Sequence, residues 1–311
     1  MTDRKPKIIV IVGPTASGKS SIAVDLALEF DGEVVNADSM QVYRFMDIGT
    51  AKIRQEEMRG IPHHLIDVVD PDEDFNASEY RSLAEPKVRK INAQNKICFV
   101  TGGTGLYIKA LLGGLFDCPP SDHGVRERLF LEWDDLGQAA LYERLRMCDP
   151  EAASNIHPNN RVRVLRALEV IELVGKPFSS LIQEHGFRDA PFDSLKLCLD
   201  VEREELYNKI NSRSQAMIDD GLVEEVKGLF EKGFSSDLKS MNSLGYRHIS
   251  EYLRGEYGLD KAIVQLQQDT RKYAKRQLTW FRADPDMVWM SPEDRDGIRE
   301  KIRQFLSDST V

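Results

Sequence analysis

The sequence predicts an α/β fold, a parallel β-sheet flanked by helices, with an all-helical insertion. Three observations predict it. A glycine-rich loop, Gly13-Pro14-Thr15-Ala16-Ser17-Gly18-Lys19-Ser20, separates an apolar run from an amphipathic stretch. Up to about residue 115, strand-like runs alternate with helical periodicity, as parallel sheets require. From about Pro119 to Ala190 the strand-like runs stop, and apolar residues recur only at helical spacing.

Each element follows in order. Lys7-Ile8-Ile9-Val10-Ile11-Val12 reads as a buried strand. Ser21 to Phe30 reads as a helix with Ile22, Ala23, Leu26, Ala27 and Phe30 inward. Strand, loop and helix in this order give a P-loop NTPase-like, nucleotide-kinase-like core. Gly32 to Asp38 reads as a second strand and His64 to Val69 as a third. Asn76 followed by Glu79 marks a helix start, and that helix runs toward Asn92. Lys96 to Thr101 is a fourth strand, followed by Gly102-Gly103 and a helix through Leu112. The insertion follows, with Val125 to Leu129 and Val164 to Val170 as helical segments. Leu195 to Val201 returns as a strand, helices run to about Ala283, and Met287 to Met290 is a last short strand. The expected division is a catalytic core of 1–118 and 191–311, with the insertion at 119–190.

Composition bounds the function. The chain has 311 residues, of which 41% are hydrophobic, enough for a large core. No apolar stretch approaches the roughly 20 residues of a membrane span. The N-terminus enters a strand at once, without a signal-peptide pattern, so a cytoplasmic protein is expected. Cys98, Cys118, Cys148 and Cys198 are spread apart without a C-x-x-C pair. They read as buried free thiols rather than a zinc site. The net charge of −9 argues against nucleic acid as a mean over the molecule, yet local basic faces exist.

The loop fits G-x-x-x-x-G-K-[ST]. Its backbone N–H groups wrap an anion, and the following helix N-terminus adds positive field. Lys19 reaches the outer phosphate, and the Ser20 hydroxyl suits Mg²⁺. A polyphosphate or diphosphate site is expected. The strand ending at Thr101 carries no Walker-B acid, since Gly102-Gly103-Thr104-Gly105 follows. The acid nearest a strand end is Asp38, on the side of the sheet where ligands sit. It reads either as metal ligand or general base, or as a turn residue for Ser39-Met40-Gln41. Thr104 offers a neutral donor, though a plain strand-to-helix turn is the simpler reading of its segment. His63 and His64 point to opposite faces of a strand, which disfavours a joint metal site.

Two basic clusters stand out. Arg163 and Arg166 share a helical face in the insertion, near Arg161. Arg271 to Arg282 carries five positive charges and no negative one. There Lys272, Lys275, Arg276 and Thr279 share a face, while Tyr273, Trp280 and Phe281 are expected inward. The face reads either as a solvated surface or as a contact for RNA phosphates. Arg213 either reaches back to the phosphates or lies on the surface.

Several segments occur together in order: Gly13 to Ser20; Asn36-Ala37-Asp38-Ser39-Met40-Gln41-Val42-Tyr43-Arg44; Gly49-Thr50-Ala51-Lys52; His63-His64-Leu65-Ile66-Asp67; Gly102-Gly103-Thr104-Gly105-Leu106-Tyr107; Arg166-Ala167-Leu168-Glu169-Val170; and Tyr273 through Arg282. The set closely resembles the bacterial tRNA dimethylallyltransferases, or tRNA isopentenyltransferases, over nearly the whole chain. The resemblance implies transfer of a dimethylallyl group from dimethylallyl diphosphate to N6 of adenosine 37 in tRNAs reading codons that start with U. The partners implied are tRNA, through its anticodon stem-loop, and dimethylallyl diphosphate, with Mg²⁺ as cofactor, no membrane, and a monomeric enzyme. Thr15 to Ser20 would bind the diphosphate, within the loop that opens at Gly13 and Pro14. Asp38 would take the amine proton, Thr104 would bond near the bridging oxygen, and Arg213 would neutralise the leaving group. Asp38, Ser39, Met40, Gln41 and Thr104 would contact the flipped adenine and its neighbours. Arg126 and the stretch Val162, Arg163, Val164, Leu165 and Arg166 match family positions that touch tRNA.

Many relatives carry paired arginines before Arg166, where this chain has Asn160-Arg161-Val162-Arg163. It also ends without the C-terminal zinc finger typical of eukaryotic relatives, which favours the bacterial type. A small-molecule kinase, an enzyme prenylating free AMP, and a nucleotide-dependent RNA-binding switch are the alternatives. The helical insertion and the 271–282 stretch favour the tRNA substrate.

Overall fold

A computed structural model describes residues 5–115, 119, 121–186 and 189–308. Cys118, where the core was expected to give way to the insertion, lies outside them. The chain divides into two compact units, Met1–Leu112 with Pro191–Val311, and Gly113–Ala190.

The first unit is built on a parallel sheet of β1 (Lys7–Val12), β2 (Gly32–Asn36), β3 (His63–His64), β4 (Ile97–Thr101), β5 (Asp193–Leu199) and β6 (Val288–Met290), in the order β3-β2-β4-β1-β5-β6. The apolar runs take its centre because both faces there are covered. Ile8, Ile9 and Val10 of β1 and Phe99 and Val100 of β4 are fully buried. Around the sheet lie α1 (Lys19–Glu29), α2 (Ala77–Ala93), α3 (Gly105–Gly113), α9 (Arg203–Asp219), α10 (Leu222–Glu231), α11 (Tyr246–Leu253), α12 (Leu259–Arg282) and α13 (Arg295–Ser307). The α2 start forms as its sequence requires. Asn76 accepts from the Ser78 and Glu79 amides, and Glu79 reaches back to the Asn76 amide at 2.7 Å.

Two expectations need correction. The third strand keeps only His63–His64, because Leu65 and Asp67 turn to φ of 62° and 55°, outside strand conformation. The chain there instead folds back so that Lys52 reaches Asp47 at 2.5 Å and Asp67 at 2.6 Å. The closing helix α13 was not expected, yet its Ile298 and Ile302 pack with Ile22 and Leu26 of α1. Buried thiols hold for Cys98 and Cys198, whereas Cys148 is exposed.

The second unit is all-helical: α4 (His123–Leu136), α5 (Gln138–Cys148), α6 (Pro150–Asn155), α7 (Arg161–Val174) and α8 (Phe178–His185). Leu129, Leu141, Leu145, Val164, Leu165 and Leu168 form its core. That burial corrects one expectation. Val164 and Leu165 spend their side chains on packing, so they have no surface to offer RNA. Val162 and Arg163 are exposed on the same helix.

The Tyr80 hydroxyl is buried without a partner, while its ring stacks on Tyr107 at 4.3 Å. Tyr80→Phe keeps the stack and removes an unpaired polar atom. It should raise stability by about 1 kcal/mol, or roughly 2–4 °C in melting temperature, read by thermal melts of both proteins.

Candidate active site

The glycine-rich loop leaves β1 at the centre of the sheet, between β4 and β5. This is the switch point of a doubly wound sheet, where a crevice opens beyond the strand ends. Gly18 caps α1 at φ 83°, and Ala16 also takes a left-handed conformation at φ 66°. These turns curl the loop around the α1 N-terminus. The Lys19 ammonium folds over the loop and donates to the Pro14 carbonyl at 2.7 Å. Arg213 comes from α9 and donates to the Thr15 hydroxyl.

Asp38 follows β2 by two residues. Its Oδ1 accepts from the Met40 amide at 2.9 Å, which is turn work. Its Oδ2 has no hydrogen-bond partner among the described residues. The turn role that its position allowed is therefore present, and Oδ2 stays available beside it. The adjacent turn from β4 comes very close. A Cβ on Gly102 would lie 2.2 Å from the Ala37 backbone, so only glycine lets the two strand ends meet. Thr104 closes the gap, accepting from the Ser39 amide at 2.9 Å and lying 3.2 Å from the Ser39 hydroxyl.

Two cavities open here. The smaller, about 160 Å³, is lined by Lys19, Ser20, Asn36, Asp38, Thr101 and Arg213, among others. The larger, about 470 Å³, shares Thr15, Asp38 and Arg213 and extends to Met217, Leu266 and Tyr273. Burial lowers the Lys19 pKa to about 8, with Asp38 raising it and Arg213 lowering it further. Burial also lowers the Arg213 pKa, against the pull of Asp38. Two desolvated cations therefore face one carboxylate, and neither forms an ion pair with it among the described residues. The cavity lacks negative charge and suits an anion. Ser20, Thr101 and Asp38 offer two hydroxyls and one carboxylate. That donor set suits a Mg²⁺ ion arriving on a diphosphate better than one caged by protein. Among the described residues, no group of three or more His, Cys, Asp or Glu could hold a metal. His63 donates from Nδ1 to the Ile61 carbonyl at 2.9 Å, while His64 bonds Glu33 at 2.7 Å.

A family model described as IPP transferase matches residues 41–284. The chain belongs to this family. A tRNA dimethylallyltransferase of Desulfosudis oleivorans is 51% identical, covering 97% of this chain and 96% of that one. One of Geobacter sulfurreducens is 51% identical, with 97% of each chain covered. The solved tRNA isopentenylpyrophosphate transferase of Bacillus halodurans superposes with a TM-score of 0.74 at 40% identity, covering 98% of each chain. A eukaryotic dimethylallyltransferase, solved acting on tRNA, superposes at 0.83 with 29% identity, covering 97% of this chain and 80% of that one. The P-loop sheet is thus the fold of an IPP transferase. No helix among the described residues is long and apolar enough to cross a membrane.

The remaining expected site residues divide into groups. Ser39 and Met40 line the larger cavity. Gln41 is committed to the Thr50 and Ala51 carbonyls, both at 3.3 Å. On α12, Lys272, Lys275 and Arg276 are exposed. Lys272 pairs with Asp269 at 2.9 Å, and Arg276 lies over the Tyr273 ring. Trp280 corrects an expectation: it is 40% exposed rather than inward. The inward position is taken by Gln277, which is 5% exposed. In the second unit, Arg126 is exposed beside the Phe130 ring and Ser121, and Arg166 bonds Pro119 and Glu169. Arg161 is held by Asp134 and the Phe130 carbonyl, each at 2.9 Å.

Sequence reasoning missed two contributors. Gln277 was hidden among charges, though its spacing of four from Tyr273 and Phe281 marks the inward face. Glu225 stands in a helical stretch that no motif marks. It accepts from the Asp47, Ile48 and Gly49 amides and the Tyr246 hydroxyl, fixing the loop that borders the cavity.

A lysine whose folded pKa is lowered destabilises the fold at low pH, and the penalty fades as pH rises through about 8 toward the unfolded value. Lys19→Met should therefore melt above the unsubstituted protein at pH 7 without ligand. Allowing for partial solvent contact, the gain is about 2 kcal/mol. It should shrink at pH 9.5. Thermal melts at both pH values check the sign and the trend.

Proposed function

We propose that this IPP transferase moves a dimethylallyl group from dimethylallyl diphosphate to N6 of adenosine 37 in tRNAs reading UNN codons, releasing diphosphate. The observation that carries this reading is the convergence of Lys19, Arg213 and Asp38 on one anion-deficient cavity, with Thr104 bonded to the amide of Ser39, the residue next to Asp38. The relatives' names supply the reaction class.

The diphosphate lies along Gly13 to Ser20, with its charge met by Lys19, Arg213 and the loop amides. Mg²⁺ held at Ser20 supplies further neutralisation of the diphosphate when bound. The prenyl carbon faces the larger cavity, whose Met217 and Leu266 provide an apolar wall. The target base is extruded from the anticodon loop into the same space. The adenine N6 lone pair forms the new C–N bond while the carbon–oxygen bond to diphosphate breaks. The electron pair leaves with the diphosphate, and the Thr104 hydroxyl donates to its bridging oxygen. The N6 proton passes to the free Oδ2 of Asp38. Ser39 and Met40 border the base. Arg126, Val162, Arg163 and Arg166 of the insertion, and Lys272, Lys275 and Arg276 of α12, contact tRNA. The absence of a Walker-B acid agrees with a reaction that transfers no γ-phosphate.

With Mg²⁺, dimethylallyl diphosphate and a UNN-reading tRNA, the protein should add one C5H8 unit at adenosine 37, seen by mass spectrometry of the digested tRNA. No mass gain from folded protein rejects the reading. Asp38→Ala should lower turnover by about a thousandfold while tRNA affinity stays near normal. Intact turnover with weakened tRNA binding would make Asp38 a binding residue instead. Lys275→Ala and Arg276→Ala should each weaken all tRNAs alike and reduce the salt slope of binding by about one. Filter binding across a salt series tests this, and an unchanged slope places these charges away from RNA.

A further inference from the structure

The helix that shows its cations to solvent also reaches into the site from its opposite face. Gln277 of α12 is buried, and both ends of its side-chain amide are engaged. Oε1 accepts from the Thr15 amide at 2.8 Å, and Nε2 donates to the Gly103 carbonyl at 2.9 Å. One side chain therefore ties the first turn of the phosphate loop to the turn after β4. The fit is tight. A Cβ on Gly103 would lie 2.1 Å from the Gln277 nitrogen. Four residues earlier, Tyr273 lies beside Thr104 and Gln277, close enough for both to act on its hydroxyl. On the loop side, Thr15 is also gripped by Arg213.

We propose that Gln277 is a positioning residue, whose amide holds the phosphate loop and the Gly103-Thr104 turn at a fixed separation so that the anion cradle is preformed. The proposal rests on the diphosphate reading of that loop. It follows from what the amide occupies. The Thr15 N–H is already paired, so it is not one of the free loop donors. It serves instead as the anchor from which the amides of Ala16, Gly18, Lys19 and Ser20 are aimed, the Ser17 amide being spent on the Pro14 carbonyl. Without the anchor, the loop must be ordered by the anion itself, and affinity falls by the ordering cost. No side chain but Gln or Asn carries both a donor and an acceptor in one rigid amide, and Asn is one methylene too short to span from α12.

The test is binding of inorganic pyrophosphate with Mg²⁺, measured by calorimetry on the full chain, alongside tRNA affinity and KM for dimethylallyl diphosphate. Gln277→Met keeps the volume and removes both bonds. Pyrophosphate affinity should fall about tenfold and KM rise in parallel, with tRNA affinity unchanged. Gly103→Ala displaces the amide while leaving Gln277 in place, and it should give the same pattern. Together the two substitutions should cost no more than the larger alone, because they break one device. A folded Gln277→Met with unaltered pyrophosphate affinity overturns the proposal. So does additivity of the two substitutions, or joint loss of tRNA and pyrophosphate binding in both variants. If Gln277→Met does not fold, Gly103→Ala decides alone by the same criterion. Pyrophosphate binding that responds as expected in a protein that prenylates nothing would keep the positioning role and remove the proposed reaction.

Discussion

A shortage of negative charge governs this site. Lys19 and Arg213 are drawn from water by the fold, and one carboxylate, Asp38, faces both of them. Desolvation costs each cation stability, which its neighbours do not fully restore. Under the proposed reaction, an incoming diphosphate would relieve this strain. Much of the surrounding architecture serves to keep those cations fixed while the site waits. Lys19 is tethered to the Pro14 carbonyl, and Arg213 to the Thr15 hydroxyl. Each tether is neutral, so it positions the charge without cancelling it.

Close approach of backbone to backbone is the second requirement. Asp38 and Thr104 belong to different strand ends, and they meet only because Gly102 allows Ala37 to come within contact. Gly105 admits the Trp280 ring in the same way, and Gly49 admits Tyr246. These glycines look alike in sequence. Their reasons differ: one joins two strand ends, one seats α12 against α3, and one fastens the loop that Glu225 holds. Helix α12 links these features to the surface. Its cations face water, while Gln277 holds the phosphate loop to the turn after β4.

Much of this was legible in the sequence. The phosphate loop, five of the six strands, the helical insertion and the Asn76 cap have local causes: apolar runs, helical periodicity, and a side chain that caps its own neighbours. Such signals are written within a few residues and survive folding. The ordered motif set likewise named the family that the relatives bear out. What misled was contact rather than pattern. Val164 and Leu165 sit in a motif segment, but their side chains close the insertion core. The 64–69 run has strand composition, but Leu65 and Asp67 turn left-handed so that Lys52 can reach Asp67.

The sequence by itself determined that a phosphate-type loop closes the end of the first strand, since glycines and a helix start make such a loop wherever they follow a buried strand. Only the tertiary structure decided which distant residues complete it. Arg213 and Gln277 are far from Thr15 along the chain, and no local periodicity encodes their arrival beside it. Their place is set by how α9 and α12 pack on the sheet, a property of the whole core rather than of any segment.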